Sequence, residues 1–475
     1  MVLKKNLNVL FLPLAVASTF STPQPSQLLN SSTFSTFSNT QLPMKINIAE
    51  SNLERIVIVG GGFAGLMLAK KLAKANYQVV LIDKNNYHQF QPLFYQVAMA
   101  GLEPSSIAFP LRKFFQGNAN VFIRVTEVTA IEYDKKRLQT PLGIVNYDHL
   151  VIATGADTNF FGNATLAAKA LPMKSVSEAL YLRNRILDDY EKTLSITDPE
   201  ERQGYIDIVI VGGGPTGVEI AGSLAEMRKY ILPKDYPEMD CSEIEIFLIQ
   251  SGDQLLKGMS DEAAKKALQF LQKLDVKVIL NNRVTSFDGE LVTMKDGTTI
   301  RSRKVIWAAG ILGAIFEGFP AAAIGPGNRL VVNKHCQVLG MENVYALGDV
   351  ALMEGDAKFP EGHPQVAQVA MQMGEYLAGS FKRKQQGKPI VPFVYRDLGS
   401  MATIGRNKAV VDFPGFKIQG FFAWLVWLFV HLYQLLGVRN KVMVFINWVW
   451  NYVTYDQSLR LMIRPHVPPK EVEKF

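Results

Sequence analysis

A glycine-rich turn occurs twice in this chain, as Gly60-Gly61-Gly62-Phe63-Ala64-Gly65 and, 152 residues later, as Gly212-Gly213-Gly214-Pro215-Thr216-Gly217. Each copy follows a β-branched run, Ile56–Val59 or Ile206–Val211, suited to a parallel strand covered on both faces. Each opens a helical stretch, Leu66–Ala75 or the run from Val218, and a second strand follows, Val79–Ile82 or Ile244–Ile249. A lone G-x-G-x-x-G is a weak signal and can be a mere turn; between a strand and a helix it reads as a dinucleotide cradle. The first glycine (Gly60, Gly212) permits the tight turn. The second (Gly62, Gly214) lets a pyrophosphate approach the backbone, and the third (Gly65, Gly217) lets helix and strand pack closely. Free amides and the helix dipole then favour the phosphates. The pair reads as an internal duplication.

The copies differ where their second strand ends. The first ends at Asp83, followed by Lys84, placing a carboxylate where ribose hydroxyls are met; this copy is assigned to resident, non-covalent FAD. The second ends at Gln250, where an NAD-selective site usually carries an acid. An amide bonds the hydroxyls without repelling a 2′-phosphate, so NADH is expected as substrate with NADPH poorly excluded; the other reading makes Gln250 a plain strand-end residue. Thr154-Gly155 and Ala309-Gly310 are small-residue strand exits, and Gly348-Asp349 offers a carboxylate to ribityl hydroxyls or an ordinary turn.

These elements define an α/β fold with two Rossmann-like domains. The expected division is a leader or disordered extension over 1–50, the FAD domain over 51–170 and 311–400, an inserted NAD(P)H domain over 171–310, and a C-terminal membrane-association region over 401–475. In the leader, Lys4-Lys5 and the apolar stretch to Ala17 leave open a targeting segment, against a start at Met44. A formal net charge of +7 implies an anionic partner, but no run of consecutive basic residues is longer than three, which argues against a nucleic-acid patch. The two cysteines, Cys241 and Cys336, form neither a Cys-x-x-Cys pair nor a metal cluster. That argues against disulfide-reductase and sulfide-oxidising chemistry.

The C-terminal runs Gly420–Gly437 and Val442–Val453 are aromatic and aliphatic. Eighteen residues lie at the lower limit for crossing a bilayer, and His431 and Gln434 interrupt the first run. Phe421, Trp424, Leu425, Leu428, Leu432 and Leu435 recur at helical spacing, while Trp427, Trp448 and Trp450 suit a membrane interface. Between Gly420 and Pro469, four basic residues (Arg439, Lys441, Arg460, Arg464) stand against Asp456, a net +3 that favours anionic lipid. Paired helices lying on a membrane surface are expected; a buried dimer interface is the other reading.

The chain resembles the type II NADH:quinone oxidoreductases of the two-dinucleotide-binding-domain flavoprotein superfamily, from about Arg55 to Arg464. The narrowing segments are Phe90–Ala98, Thr216-Gly217-Val218-Glu219 and Ala367–Gln372. The resemblance implies that Pro92, Leu93 and Gln96 pack beside the flavin ring and that Glu219 lies near the nicotinamide. It implies that Gln368 and Gln372 line the quinone pocket and that Lys408 is close to the flavin. Gln368 and Gln372 are four apart, so a helix places them on one face, as quinone ligands or as solvent-facing residues. Met373 stands where a further polar residue is common. The implied reaction takes hydride from NADH to FAD and two electrons onward to a membrane quinone, without proton pumping. The implied setting is a peripheral homodimer on the cytoplasmic face of the inner membrane. A ferredoxin-type NAD(P)H reductase and an NADH-binding sensor with little turnover are the rivals.

Overall fold

The structure, a computed structural model, describes residues 46–456 and 459–463. The leader's Met44 and Lys4-Lys5, and Arg464, lie outside them. At the end of that segment Ile46 and Ile48 are buried in the first domain's core, and the Gln78 amide donates to the Ala49 carbonyl at 2.7 Å.

Two five-stranded parallel sheets carry the molecule, and their strand orders correspond. The first runs Val344–Ala346, His149–Ile152, Arg55–Val59, Gln78–Asp83, Val121–Val125; the second runs Leu171–Pro172, Val305–Trp307, Ile208–Val211, Ile246–Ile249, Lys277–Ile279. Ile56, Val57, Ile58, Ile208, Val209 and Ile210 are fully buried, as expected of central strands covered on both faces.

Five helices position the site: α1 (Phe63–Leu72), α2 (Pro215–Tyr230), α3 (Ala367–Gln385), α4 (Phe421–Gln434) and α5 (Val438–Thr454). Helix α3 crosses α1 at Gly374, where a Cβ would lie 2.5 Å from the Ala64 carbonyl oxygen, so only glycine permits this approach. Helix α4 packs on a three-stranded antiparallel sheet formed by Ser400–Thr403, Ala409–Phe413 and Phe416–Gln419. Gly420 and Gly437, both at positive φ, precede α4 and α5, where their backbone conformation suits glycine. Among the described residues, no helix is long and apolar enough to cross a membrane.

Candidate active site

The two glycine cradles are near copies. A Cβ on Gly60 would lie 2.2 Å from the Ala153 carbonyl oxygen, and on Gly212 2.4 Å from that of Ala308. On Gly65 and Gly217 it would lie 1.9 Å from the carbonyl oxygen of Gly60 and Gly212 respectively. Gly62 and Gly214 face open space instead. The first and third glycines therefore serve packing, and the middle one leaves room for a ligand, which fits the pyrophosphate of a dinucleotide at each site.

The strand-end residues also correspond. Asp83 Oδ2 accepts the Gly61 amide at 2.6 Å, and Gln250 Oε1 accepts the Gly213 amide at 2.9 Å. Burial raises the Asp83 carboxyl, with the Gly61 and Asn85 amides and the Lys84 charge opposing. Gln250 sits at the predicted register, at the end of its strand, and its side-chain carbonyl is occupied by the Gly213 amide. Of the other predicted contacts, Phe63 packs edge-on to His88 and Phe90, and Ala64 and Gly65 are buried. Thr154 Oγ1 donates to the Ala314 carbonyl at 2.5 Å, and Gly155 takes φ +74°. Gly348, at φ +72°, meets Ala64 and Ala370, while Asp349 beside it is raised by burial against Lys174 and Arg329. Pro215 and Thr216 form the first turn of α2. Ala309 packs on the second domain's core, and Gly310 faces the Phe161 ring. Pro92 lies in a single 3-10 turn ahead of the short helix Phe94–Ala98.

Glu219, in the second turn of α2, is buried, and burial pushes its carboxyl up to about 8. The Thr403 amide and the Trp427 indole favour its charge but do not win. A carboxylate at a helix start is ordinarily stabilised as the anion; here desolvation dominates and favours the protonated form. Tyr95 is buried nearby, and burial, then the charge of Glu219, holds its phenol well above the usual range.

Trp427 is not at a membrane interface. It is 1% exposed, stacks on His431 at 3.9 Å between centroids, and packs edge-on to Tyr95. His431 Nδ1 pairs with the Trp427 carbonyl at 2.8 Å, and burial pushes its ring down to about 4. Trp448 donates to Gln96 Oε1 at 2.7 Å, whose Nε2 donates to the Tyr95 hydroxyl at 2.8 Å. Trp450, in contrast, is 57% exposed. Met373, which stands where a further polar residue is common, is buried, and its sulfur accepts the Gly348 amide, so it belongs to the first domain's core.

Gln368 and Gln372 do share one face of α3, but as a clamp on the segment after it. Gln368 donates to the Gly399 carbonyl at 3.0 Å and accepts the Leu398 amide at 3.1 Å. Gln372 donates to the Arg396 carbonyl at 2.9 Å and accepts its amide at 3.0 Å. Each side chain thus completes a two-bond pairing with backbone, in the manner of a strand. Both side chains are half-buried, with their amides bonded to backbone rather than only to solvent. Lys408 Nζ approaches the Arg406 carbonyl at 3.4 Å, and its charge acts on Glu226.

Between α2, α4, α5 and the turn Gly405–Lys408 lies an apolar cavity of about 510 Å³. Trp424, Trp427, Leu428, Trp448 and Tyr452 wall it, with Gln96, Ser223, Glu226 and Arg406 as polar points. Sequence reading missed Glu226 and Arg406. Glu226 had one available signal, its place seven residues after Glu219, hence on the same face of α2. Arg406 had none: its guanidinium donates to the Asn451 and Tyr452 carbonyls at the end of α5 and lies 3.5 Å from the Tyr455 ring centroid.

Two equivalent cradles on two parallel sheets, with a helix that runs from the second cradle to an apolar cavity, define a pyridine-nucleotide oxidoreductase of the flavoprotein type. Residues 54–374 match the pyridine nucleotide-disulphide oxidoreductase family, and residues 398–454 the NDH2 C-terminal domain. A type II NADH:quinone oxidoreductase of Mycobacterium tuberculosis is 35% identical over 420 residues, covering 84% of this chain and 88% of that protein. The external NADH-ubiquinone oxidoreductase 2 of Saccharomyces cerevisiae mitochondria is 26% identical, covering 84% and 81%. The fold matches NDH2 of Plasmodium falciparum in complex with NADH at TM-score 0.79 and 22% identity, covering 86% of this chain and all of that one. The chain belongs to the type II NADH:quinone oxidoreductase family.

Proposed function

We propose that this chain oxidises NADH and passes two electrons through non-covalently bound FAD to a membrane quinone, without pumping protons. Helix α2 carries the reading: its first turn is the second cradle, and Ser223, Glu226 and Tyr230 farther along it wall the apolar cavity. Nucleotide and quinone chemistry are thereby set at two ends of one rigid element.

Gly60, Gly62, Phe63, Ala64 and Gly65 hold the FAD pyrophosphate, with Asp83 and Lys84 at its ribose. Thr154, Gly155, Gly348 and Asp349 follow its length, and Pro92, Gln96, Gln368 and Lys408 stand toward its ring. Bound there, FAD supplies the two-electron chemistry; the residues supply position and exclude water. Gly212, Gly214, Pro215, Thr216 and Gly217 hold NAD(P)H, with Gln250 at the ribose, Ala309 and Gly310 alongside, and Glu219 near the nicotinamide. The quinone enters by the cavity, whose indole and phenol faces suit a flat ring. Gln368 and Gln372 frame its route by holding residues 396–399. The exposed side chains of α4 and α5 lie on the membrane surface, peripherally and on the cytoplasmic face, in a homodimer.

Purified, flavin-loaded protein is expected to oxidise NADH rapidly with a soluble quinone analogue. Flavin that bleaches with NADH but does not turn over would make the protein a binding module instead. The same assay with NADPH reads Gln250. Turnover with both nucleotides is expected, and Gln250→Glu is expected to raise the NADH preference at least about tenfold, since a carboxylate repels the 2′-phosphate. An NADH preference of several thousandfold already in the unsubstituted protein would remove Gln250 from selectivity.

A further inference from the structure

The reaction needs a proton that NADH does not bring. NADH gives two electrons and one proton as hydride, whereas the two quinone oxygens take two electrons and two protons. One proton per turnover must come from solvent, reaching a cavity walled chiefly by indole, phenol and leucine.

Glu226 is the carboxyl group in that wall. The turn at Gly405 closes tightly over it: Gly405 has φ +110°, and a Cβ there would lie 2.6 Å from Glu226 Oε1. That oxygen accepts the Arg406 amide at 2.5 Å. The neighbouring cation is committed elsewhere, because the Arg406 guanidinium caps the carbonyl end of α5 and lies against Tyr455. Among the described residues, no ion pair holds Glu226. The remaining groups that face or act on it are Lys408 from the same turn and Tyr95 from the short helix, with Ser223 and Tyr230 on α2 and Tyr452 on α5 along the same wall. Burial raises its carboxyl despite the Arg406 amide and the charges of Lys408 and Arg406.

We propose that Glu226 is the proton donor of the quinone cavity, giving its proton to a quinone oxygen and recovering one from water at the cavity mouth. The inference rests on the quinone reading above and adds to it a named acid. Its bookkeeping closes: NADH, one proton and quinone become NAD⁺ and quinol, and Glu226 ends each turnover as it began. Oε1 is held by the Arg406 amide, which leaves Oε2 to carry the proton. Glu219 lies two turns back along α2, toward the nucleotide cradle, behind the wall residues Thr403 and Trp427, and does not itself line the cavity.

The test is Glu226→Gln, which keeps an oxygen for the Arg406 amide and therefore the turn. Flavin bleaching by NADH in the absence of quinone and steady-state turnover with a soluble quinone are measured across pH, together with infrared difference spectra of the protein. The expected result is bleaching close to the original rate, kcat with quinone reduced at least tenfold with little change in KM, and loss of one protonated-carboxyl band. Replacing the acid also removes a titrating step from the alkaline limb of the kcat profile, because the unsubstituted carboxyl loses its proton, and so its donor role, as pH rises. Quinone turnover within twofold of the original at every pH, or an unchanged carboxyl band, overturns the proposal. Absence of quinone turnover in the unsubstituted protein overturns the underlying reading instead, so the two failures are distinct. Glu226→Asp, a shorter acid, should recover part of the lost kcat; a purely structural role predicts that the glutamine substitution does better than the aspartate.

Discussion

Gly217→Ala is expected to purify with its flavin bound, yet to bleach with NADH only at concentrations at least about 100-fold higher. The added Cβ has nowhere to go: at 1.9 Å from the Gly212 carbonyl oxygen it must push α2 away from the strand or twist the turn. Either movement misaims the amides that receive the nucleotide's phosphates. A 100-fold loss is about 2.7 kcal/mol, modest beside the value of a whole pyrophosphate site. The mirror substitution, Gly65→Ala, meets the Gly60 carbonyl at the same distance and is expected to give colourless protein. Flavin content by absorbance and bleaching by stopped flow separate the two. Should Gly217→Ala lose flavin while Gly65→Ala keeps it, the assignment of the cradles is reversed.

Replacing Phe422 and Phe429 together by glutamate is expected to detach the protein from anionic vesicles; Phe429 also lines the cavity, so vesicle binding rather than turnover is the quantity that tests the membrane face. Both rings are about 70% exposed on α4, whereas Ala423 and Trp427 of the same helix are buried. Burying a phenylalanine side chain contributes roughly 1.5–3 kcal/mol, so losing two lowers vesicle affinity by about two to four orders of magnitude. Vesicle flotation reads this directly, and continued flotation of the double variant would place the membrane contact elsewhere. Deleting everything from Gly420 is a poorer experiment than the sequence suggests. It would strip Trp427, Leu435 and Val444 from the core as well as the exposed face.

The cradles were legible because their constraints are local. Whether Gly60, Gly62 and Gly65 form a turn that accepts phosphate depends on residues within one strand–turn–helix unit, and the same unit repeats at Gly212. Even the register of Gln250 could be counted from its strand. Helix limits were less legible: α1 begins at Phe63 and α2 at Pro215, earlier than the apolar periodicity indicates, because the phosphate turn itself is the first helical turn. The C-terminal helices were visible as apolar runs, but their inward faces were not. Trp427, Trp448 and Trp450 look alike in sequence; one is buried on Tyr95, one bonds Gln96, and one remains exposed.

Sequence alone therefore determined the two nucleotide folds, their unequal strand ends and the pair of C-terminal helices, since each is written in short-range spacing and polarity. Only tertiary structure decided that Gln368 and Gln372 spend amide bonds on residues 396–399, and that Met373 turns inward to Gly348. It alone brought Arg406 from a hairpin turn to the end of α5 and closed that turn over Glu226. The physical reason is range. A glycine's need for positive φ or close packing is settled by its neighbours in sequence, whereas the partner of an amide, and the desolvation of a carboxyl, are settled by whatever distant segment the fold lays against it.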